Sequence, residues 1–472
     1  MKKLYKGILL FVLTVFAGVL ILGLSLSLPK GVIHNNVFFS VDTFANEMDL
    51  PRTITGYAMT MLDNNTDAWM LLIADYHNLD EPLADQMLLG QYAVYDENRT
   101  GLVGMDSINS LQTEQILRVG EYPRYWHGWL FPLRLSLCFF NYSGIRMMNV
   151  VILTALFALT VISIERSKHR ETLVPFLISF VILMPVSIPL CMAYMISTCI
   201  ALTASAVLLL YQEHIDALIG APLFFMLVGA VTAYSEFLQF PLITLGFPLV
   251  FSLAISRQSP KQDFRNAVLC AFAWGCGYFG MWIAKWLLAS LFTSRNVIKD
   301  AMNQIAIRFS STTKGQTGDD ISRMEAVSKN LAILNKRPIV MLLVFSAAFY
   351  LIRFFSNRLS FRWGNRQEMA ARQMAPYLLI SILPFAWVFL LANHSYIHFH
   401  FTYRVFSITV FAILCGLSVL SAHEPDINEN GQKSPLRSNR RQHDQGKPAA
   451  AEQNQHTERC SAYTTRHETA GR

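Results

Sequence analysis

Apolar residues run unbroken from Gly7 to Leu28, behind a basic start that carries Lys2, Lys3 and Lys6. Polar positions then dominate for nearly a hundred residues, from Lys30 to Trp126. Nine further apolar runs follow, near residues 145–164, 171–189, 190–211, 217–235, 237–255, 266–292, 338–354, 375–392 and 403–421. About 20 apolar residues in a helix cross the ~30 Å hydrocarbon layer. The pattern therefore predicts an all-α polytopic membrane protein of about ten transmembrane helices. The first run is longer than the apolar stretch of a cleaved leader, about 7–15 residues, and reads as a retained signal anchor. The segment 128–140, with Pro132 and Arg134, is too short and polar to cross and is expected along the outer interface. Four regions result: a first helix (1–28), an outer loop with interfacial helices (29–140), a helical bundle (141–421) with a second outer loop (293–338), and a tail (422–472). The tail has too few aliphatics for a core and is expected to be disordered.

A loop of this length is not needed to join two helices, and loops beyond about 12–15 residues are usually functional or disordered. Trp69, Leu71, Leu72, Ile73 and Tyr76 recur at helical spacing, which argues for order. The loop reads as the floor of a site on the membrane surface.

Charge then fixes an expected orientation. Only 15% of the 472 residues are charged and 53% are hydrophobic, against roughly 25% charged in a soluble domain. The net charge of +7 is therefore not read as nucleic-acid affinity. Arg166, Lys168, Arg170, Lys261, Arg265, Arg353, Arg358 and Arg372 fall in alternate short loops, whereas the long loop is acidic. By the positive-inside bias both termini are expected in the cytoplasm and the long loop outside a cell membrane, plasma or inner. Six of the seven cysteines lie in or beside apolar runs, without a CxxC pair, and no disulfide is inferred.

That orientation gathers ionisable residues at the outer side. Asp63 and Asp67 lie in the long loop, and Arg124, His127 and Arg134 at its end. Glu236 falls at a turn between two spans, Lys285 lies two turns inside another, and His394, His398, His400 and Arg404 crowd the last outer turn. An ionisable group at membrane depth costs about 2.5–3.5 kcal/mol, so several on one side predict a polar cavity open to the exterior. Each has a plainer reading. Asp63 and Asp67 suit a base or a cation site, or they cap the helix that follows. Lys285 can snorkel, Glu236 can rest at the interface, and Arg404 can anchor a head group or grip a phosphate. The histidines lack a third metal ligand and are read first as hydrogen-bonding groups for a phosphate or sugar. The Ser310–Gly318 stretch lacks P-loop spacing.

A first span, a long acidic outer loop and a following bundle resemble the GT-C class of membrane glycosyltransferases, over about residues 1–421. The strings Asp63-Asn64-Asn65-Thr66-Asp67-Ala68, Arg124-Tyr125-Trp126-His127-Gly128, Glu236–Gly246 and Asn393–Arg404 look like segments of bacterial surface-polysaccharide members. The resemblance implies transfer of a sugar from a polyprenyl-phosphate carrier to a glycan or lipid-linked acceptor on the outer face. It implies a loop carboxylate as general base, here Asp67 or Asp63, with Asp67 preferred and with Asp42 and Asp49 kept in play. Arg124, His127, Glu236, Lys285, His394, His398 and Arg404 are expected to bind substrate or lipid phosphate. A divalent cation is left open. A polysaccharide polymerase or ligase, and a transporter or flippase of lipid-linked sugars, are the alternative readings.

Overall fold

The computed structural model describes residues 2–78, 80–96, 102–113, 115–256, 258–313, 317–359 and 366–422. The expected tail, from residue 423 onward, and the turn at Lys314–Gln316 lie outside the described residues. In chain order the helices are α1 (Lys2–Ser25), α2 (Lys30–Phe38), α3 (Val41–Asn46), α4 (Asn64–Asp75), α5 (Leu83–Leu88), α6 (Val103–Asn109) and α7 (Leu130–Leu137). The bundle adds α8 (Tyr142–Ser167), α9 (Leu173–Ile182), α10 (Met192–Leu218), α11 (Ala221–Ser235), α12 (Ile243–Ala254) and α13 (Pro260–Phe292). Then come α14 (Val297–Arg308), α15 (Arg323–Leu334), α16 (Arg337–Leu359), α17 (Arg366–Leu390), α18 (Ala392–Ile397), α19 (Phe399–Thr402) and α20 (Phe406–Ala422). Among the described residues the fold is all-α apart from one short antiparallel pair in the long loop, β1 (Gln91–Val94) and β2 (Arg118–Glu121), with Gln91 opposite Glu121.

Among the described residues six helices are long and apolar enough to cross a membrane, within α1, α8, α10, α13, α17 and the α19–α20 segment. α15 and α16 make a seventh only if the pair, bent by 92°, counts as one span. The chain is a multi-pass membrane protein with six or seven candidate spans, and the expected ten is corrected. The run 171–189 yields the ten-residue α9 and then turns, where Met184 takes a positive φ of 59° ahead of Pro185 and Pro189. The runs 217–235 and 237–255 yield α11 and α12, of 15 and 12 residues. At 1.5 Å per residue α12 is about 18 Å long, well short of the hydrocarbon layer. Nearly all of α12 is buried, so its apolar residues face protein.

The predicted order of the long loop is present. α4 buries Ala68, Met70, Leu71, Leu72, Ile73 and Ala74, and one continuous apolar core joins these to Trp126, Tyr142, Met281 and Phe401. By contrast α1 leaves Leu4, Ile8, Val12, Phe16 and Leu20 exposed, a lipid-facing stripe. α11 and α13 approach so closely that a Cβ on Gly277 would sit 1.9 Å from the Met226 carbonyl oxygen, and one on Gly229 2.1 Å from that of Trp274. Small residues at such crossings are how helices pack closely in a membrane.

Candidate functional site

Three buried ionisable groups brace the loop, Asp67 and Arg404 against the bundle and Arg134 against α1. Asp67 is fully buried in the first turn of α4, and its carboxylate meets the start of α10. It accepts from the Met192 and Ala193 backbone N–H groups at 2.8 and 3.1 Å, and from the Tyr142 hydroxyl at 2.6 Å. The Cys191 thiol adds a fourth contact at 3.5 Å. A carboxylate on the orphan N–H groups of a helix start satisfies donors and favours the helix dipole. Burial nevertheless pushes its carboxyl up to about 6, against the pull of these donors. Arg134 gives its guanidinium to the carbonyls of Ala74, Ser25 and Tyr76, joining α1, α4 and α7. Arg404, fully buried, donates to the carbonyls of Leu183, His400 and Met59 and to the Ser187 hydroxyl. Its guanidinium lies 4.2 Å from the Tyr194 ring centre. Four bonds leave little of its fork for a ligand.

A second place is built differently. The C-terminal part of α13, the amphipathic α14 and the end of α17 enclose a groove of about 140 Å³. Trp282, Trp286 and Trp387 wall it, and Arg124 and Arg308 reach into it. Arg124 pairs with Asp300 at 2.9 Å. Arg308 is half-buried, and no carboxylate lies within ion-pair distance of it among the described residues. Its one hydrogen bond runs to Nε2 of His398 at 3.3 Å, so that nitrogen accepts. The His394 ring lies 4.8 Å from that of His398, and its Nε2–H donates to the Leu238 carbonyl at 2.7 Å. Burial, with Arg308 nearby, holds both imidazoles well below their usual range, so they are neutral near pH 7. Nδ1 of His394 and Nε2 of His400 are buried without a partner.

Leu238 connects this groove to the loop acids. It lines the groove and takes a φ of 65°, a strained conformation for a large L side chain. The next residue, Gln239, donates through its backbone to Glu236 at 2.9 Å and through its side chain to Asp63 at 3.4 Å. Asp63 caps α4 by accepting from the Thr66 N–H and hydroxyl. These bonds use three of about four lone-pair positions, leaving one on Oδ1. Glu236 also accepts from the Tyr278 hydroxyl at 2.6 Å, and burial raises its carboxyl to about 7.

The expected single cleft does not form. Arg124 lines the groove, His398 is linked to it through Arg308 and His394 through the Leu238 carbonyl, and Asp63 and Glu236 meet through Gln239. Asp67 and Arg404 serve the knots above. Lys285 is fully buried and gives its ammonium to the Leu88 carbonyl at 2.6 Å. His127 is 2% exposed, sits at φ 59°, and is boxed by Tyr122, Trp129 and Phe237 with no hydrogen bond to either ring nitrogen. Asp42 is exposed, whereas Asp49 lines an open cavity of about 580 Å³ with Glu47 and Asn109, its carboxyl raised by burial and by Asp106. Sequence reasoning missed Arg308, which lies within the 293–338 loop, and did not assign the three tryptophans to a site. The available signal was a basic residue closing an amphipathic segment beside Trp-rich helix ends. Among the described residues no group of three or more His, Cys, Asp or Glu is placed to hold a metal ion. The chain matches no protein-family model, no curated protein and no solved structure.

Proposed function

We propose that the chain is a membrane glycosyltransferase that takes a sugar from a polyprenyl-phosphate carrier and passes it to a glycan or lipid-linked acceptor at the outer face. The observation that carries this reading is the groove itself. Arg308, without a carboxylate partner among the described residues and backed by a neutral histidine, lines a slot walled by tryptophans, which suits one phosphate followed by an apolar chain. Asp63 is the base in this reading, because it touches Gln239 beside the groove and keeps one acceptor position, whereas the Asp67 carboxylate is spent on α10. The acceptor hydroxyl gives its proton to Asp63 as its oxygen bonds the anomeric carbon. The bond from that carbon to the phosphate oxygen breaks, and the lipid phosphate leaves with the electron pair, its charge met by Arg308.

The test is reconstitution of the purified protein in vesicles with radiolabelled polyprenyl-phosphate sugars and membrane glycolipid acceptors. Transfer by the wild type is expected, and its loss in Asp63→Asn, a substitution that keeps a good helix cap. No transfer from any donor, together with movement of labelled lipid across the bilayer, would establish a transporter instead.

A further inference from the structure

A small recess of about 10 Å³ lies beside the end of α1 and shares no lining residue with the groove. It has room for one water-sized group. Leu26, one residue past the first candidate span, borders it, with Met87 of α5 and Arg134 of α7. His77, Gln91 and His127 add polar atoms to its wall. His127 is buried, and neither of its ring nitrogens has a hydrogen-bond partner. Gln91 is 8% exposed, and its Oε1 is buried and equally unpartnered, as is Nε2 of His77. The neighbouring polar groups are already committed. Arg134 binds three carbonyls, the Tyr76 hydroxyl donates to Glu81, and the Gln86 amide donates to the Glu81 carbonyl. Two backbone features hold the imidazole where it is. His127 itself takes a φ of 59°, and Gly90 takes one of 57°, where a Cβ would stand 2.3 Å from Cε1 of the ring.

A strained backbone and unpaired buried polar atoms are both unfavourable, and together they mark a place kept for a ligand. Burial, with Lys285 and Arg124 nearby, holds the His127 imidazole well below its usual range, so it is neutral near pH 7. A neutral imidazole carries one N–H donor and one acceptor nitrogen. A hydroxyl accepts from that N–H while it donates to Oε1 of Gln91. An anion offers Oε1 no donor, and an ammonium group offers the N–H no acceptor. We propose that this recess binds one hydroxyl of a neutral polyol, such as a sugar or glycerol. The rest of the ligand stays outside, where Tyr76, Gln86 and Met87 are partly exposed. Two sources share that chemistry, a hydroxylated lipid head group at the end of α1 and a soluble sugar. The proposal uses no residue of the sugar-transfer reading and does not depend on it.

The experiment follows thermal unfolding of the full-length protein. Methyl glucoside is titrated in a sugar-free detergent against its fully O-methylated analogue, which keeps the ring but has no hydroxyl and so controls for general osmolyte effects. Nanodiscs of phosphatidylcholine with or without glucosyl diacylglycerol are compared in parallel. Saturable stabilisation by the free glucoside assigns the soluble source, and stabilisation by the glycolipid alone assigns the head group. Gln91→Met and His127→Phe remove the polar atoms at similar volume, and each should weaken the effect about tenfold. Should His127→Phe fail to fold, Gln91→Met carries the test. No saturable response to either sugar would leave the recess to an ordered water only and overturn the proposal. An equal response to the methylated analogue, or unchanged affinity in the folded variants, overturns it as well.

Discussion

Arg404 and Arg308 both approach the same turn of histidines, yet they live in opposite circumstances. Arg404 is wholly enclosed, with four hydrogen bonds to the chain and an aromatic face against it. Arg308 is half-buried, with one neutral histidine as its partner and three tryptophans around an opening. The same division separates Asp67 from Asp63. Enclosure of a charge is therefore a poor guide to chemistry by itself. The informative quantity is how much hydrogen-bonding capacity the fold has left unused.

The largest test of that contrast is Asp67→Ala. It strips the start of α10 and the Tyr142 hydroxyl of their acceptor inside the core, and a loss of about 3–5 kcal/mol is expected. Size-exclusion profiles and melting temperatures of detergent-solubilised protein check it, and a stable variant would place Asp67 with the functional groups after all. Glu236 gives the next effect. Its carboxyl is raised from 4.5 to about 7 in the folded protein. Between those values the native chain holds a proton that the unfolded chain has released, so this group's contribution falls as pH rises through the window and is level above it. The span corresponds to on the order of 3 kcal/mol. Melting temperature should drop from pH 5 to pH 8 in the wild type, and Glu236→Gln should flatten the curve.

The groove should respond in the other currency, binding rather than stability. Arg308→Gln is expected to weaken binding of a polyprenyl phosphate about tenfold, while the melting temperature moves by no more than a degree or two. A large loss of stability with unchanged affinity would make Arg308 another knot. The smallest effect is Asp300→Asn, which frees Arg124 from a partly exposed pair worth about 1 kcal/mol. A two- to threefold gain in affinity at low salt, shrinking as salt rises, is the expected outcome.

Much of the frame was legible. The long spans, the ordered helix from Asn64 and the capping role open to Asp63 all follow from composition, periodicity and cap chemistry. The span count was not legible, because a hydropathy window weighs composition and does not see where the backbone breaks. The turns around Met184 and from Glu236 to Leu242 divide apolar runs into half-length helices that bury themselves in protein. The partner of Asp67 was equally invisible, since Met192 stands 125 positions further along. Spacing within α4 suggested a pair of acids on one face, but the non-helical backbone at Asp63 turns its side chain back over the helix start.

The glycine contact between α11 and α13 has a mechanical consequence. It locks two helices backbone to backbone, and α11 runs straight into the strained turn at Leu238 while α13 carries Trp282 and Trp286. Two sides of the slot are thus packed against each other. In the proposed lipid-phosphate reading, entry falls to the remaining side, where α14 is joined to the rest through Arg124 to Asp300 and Arg308 to His398.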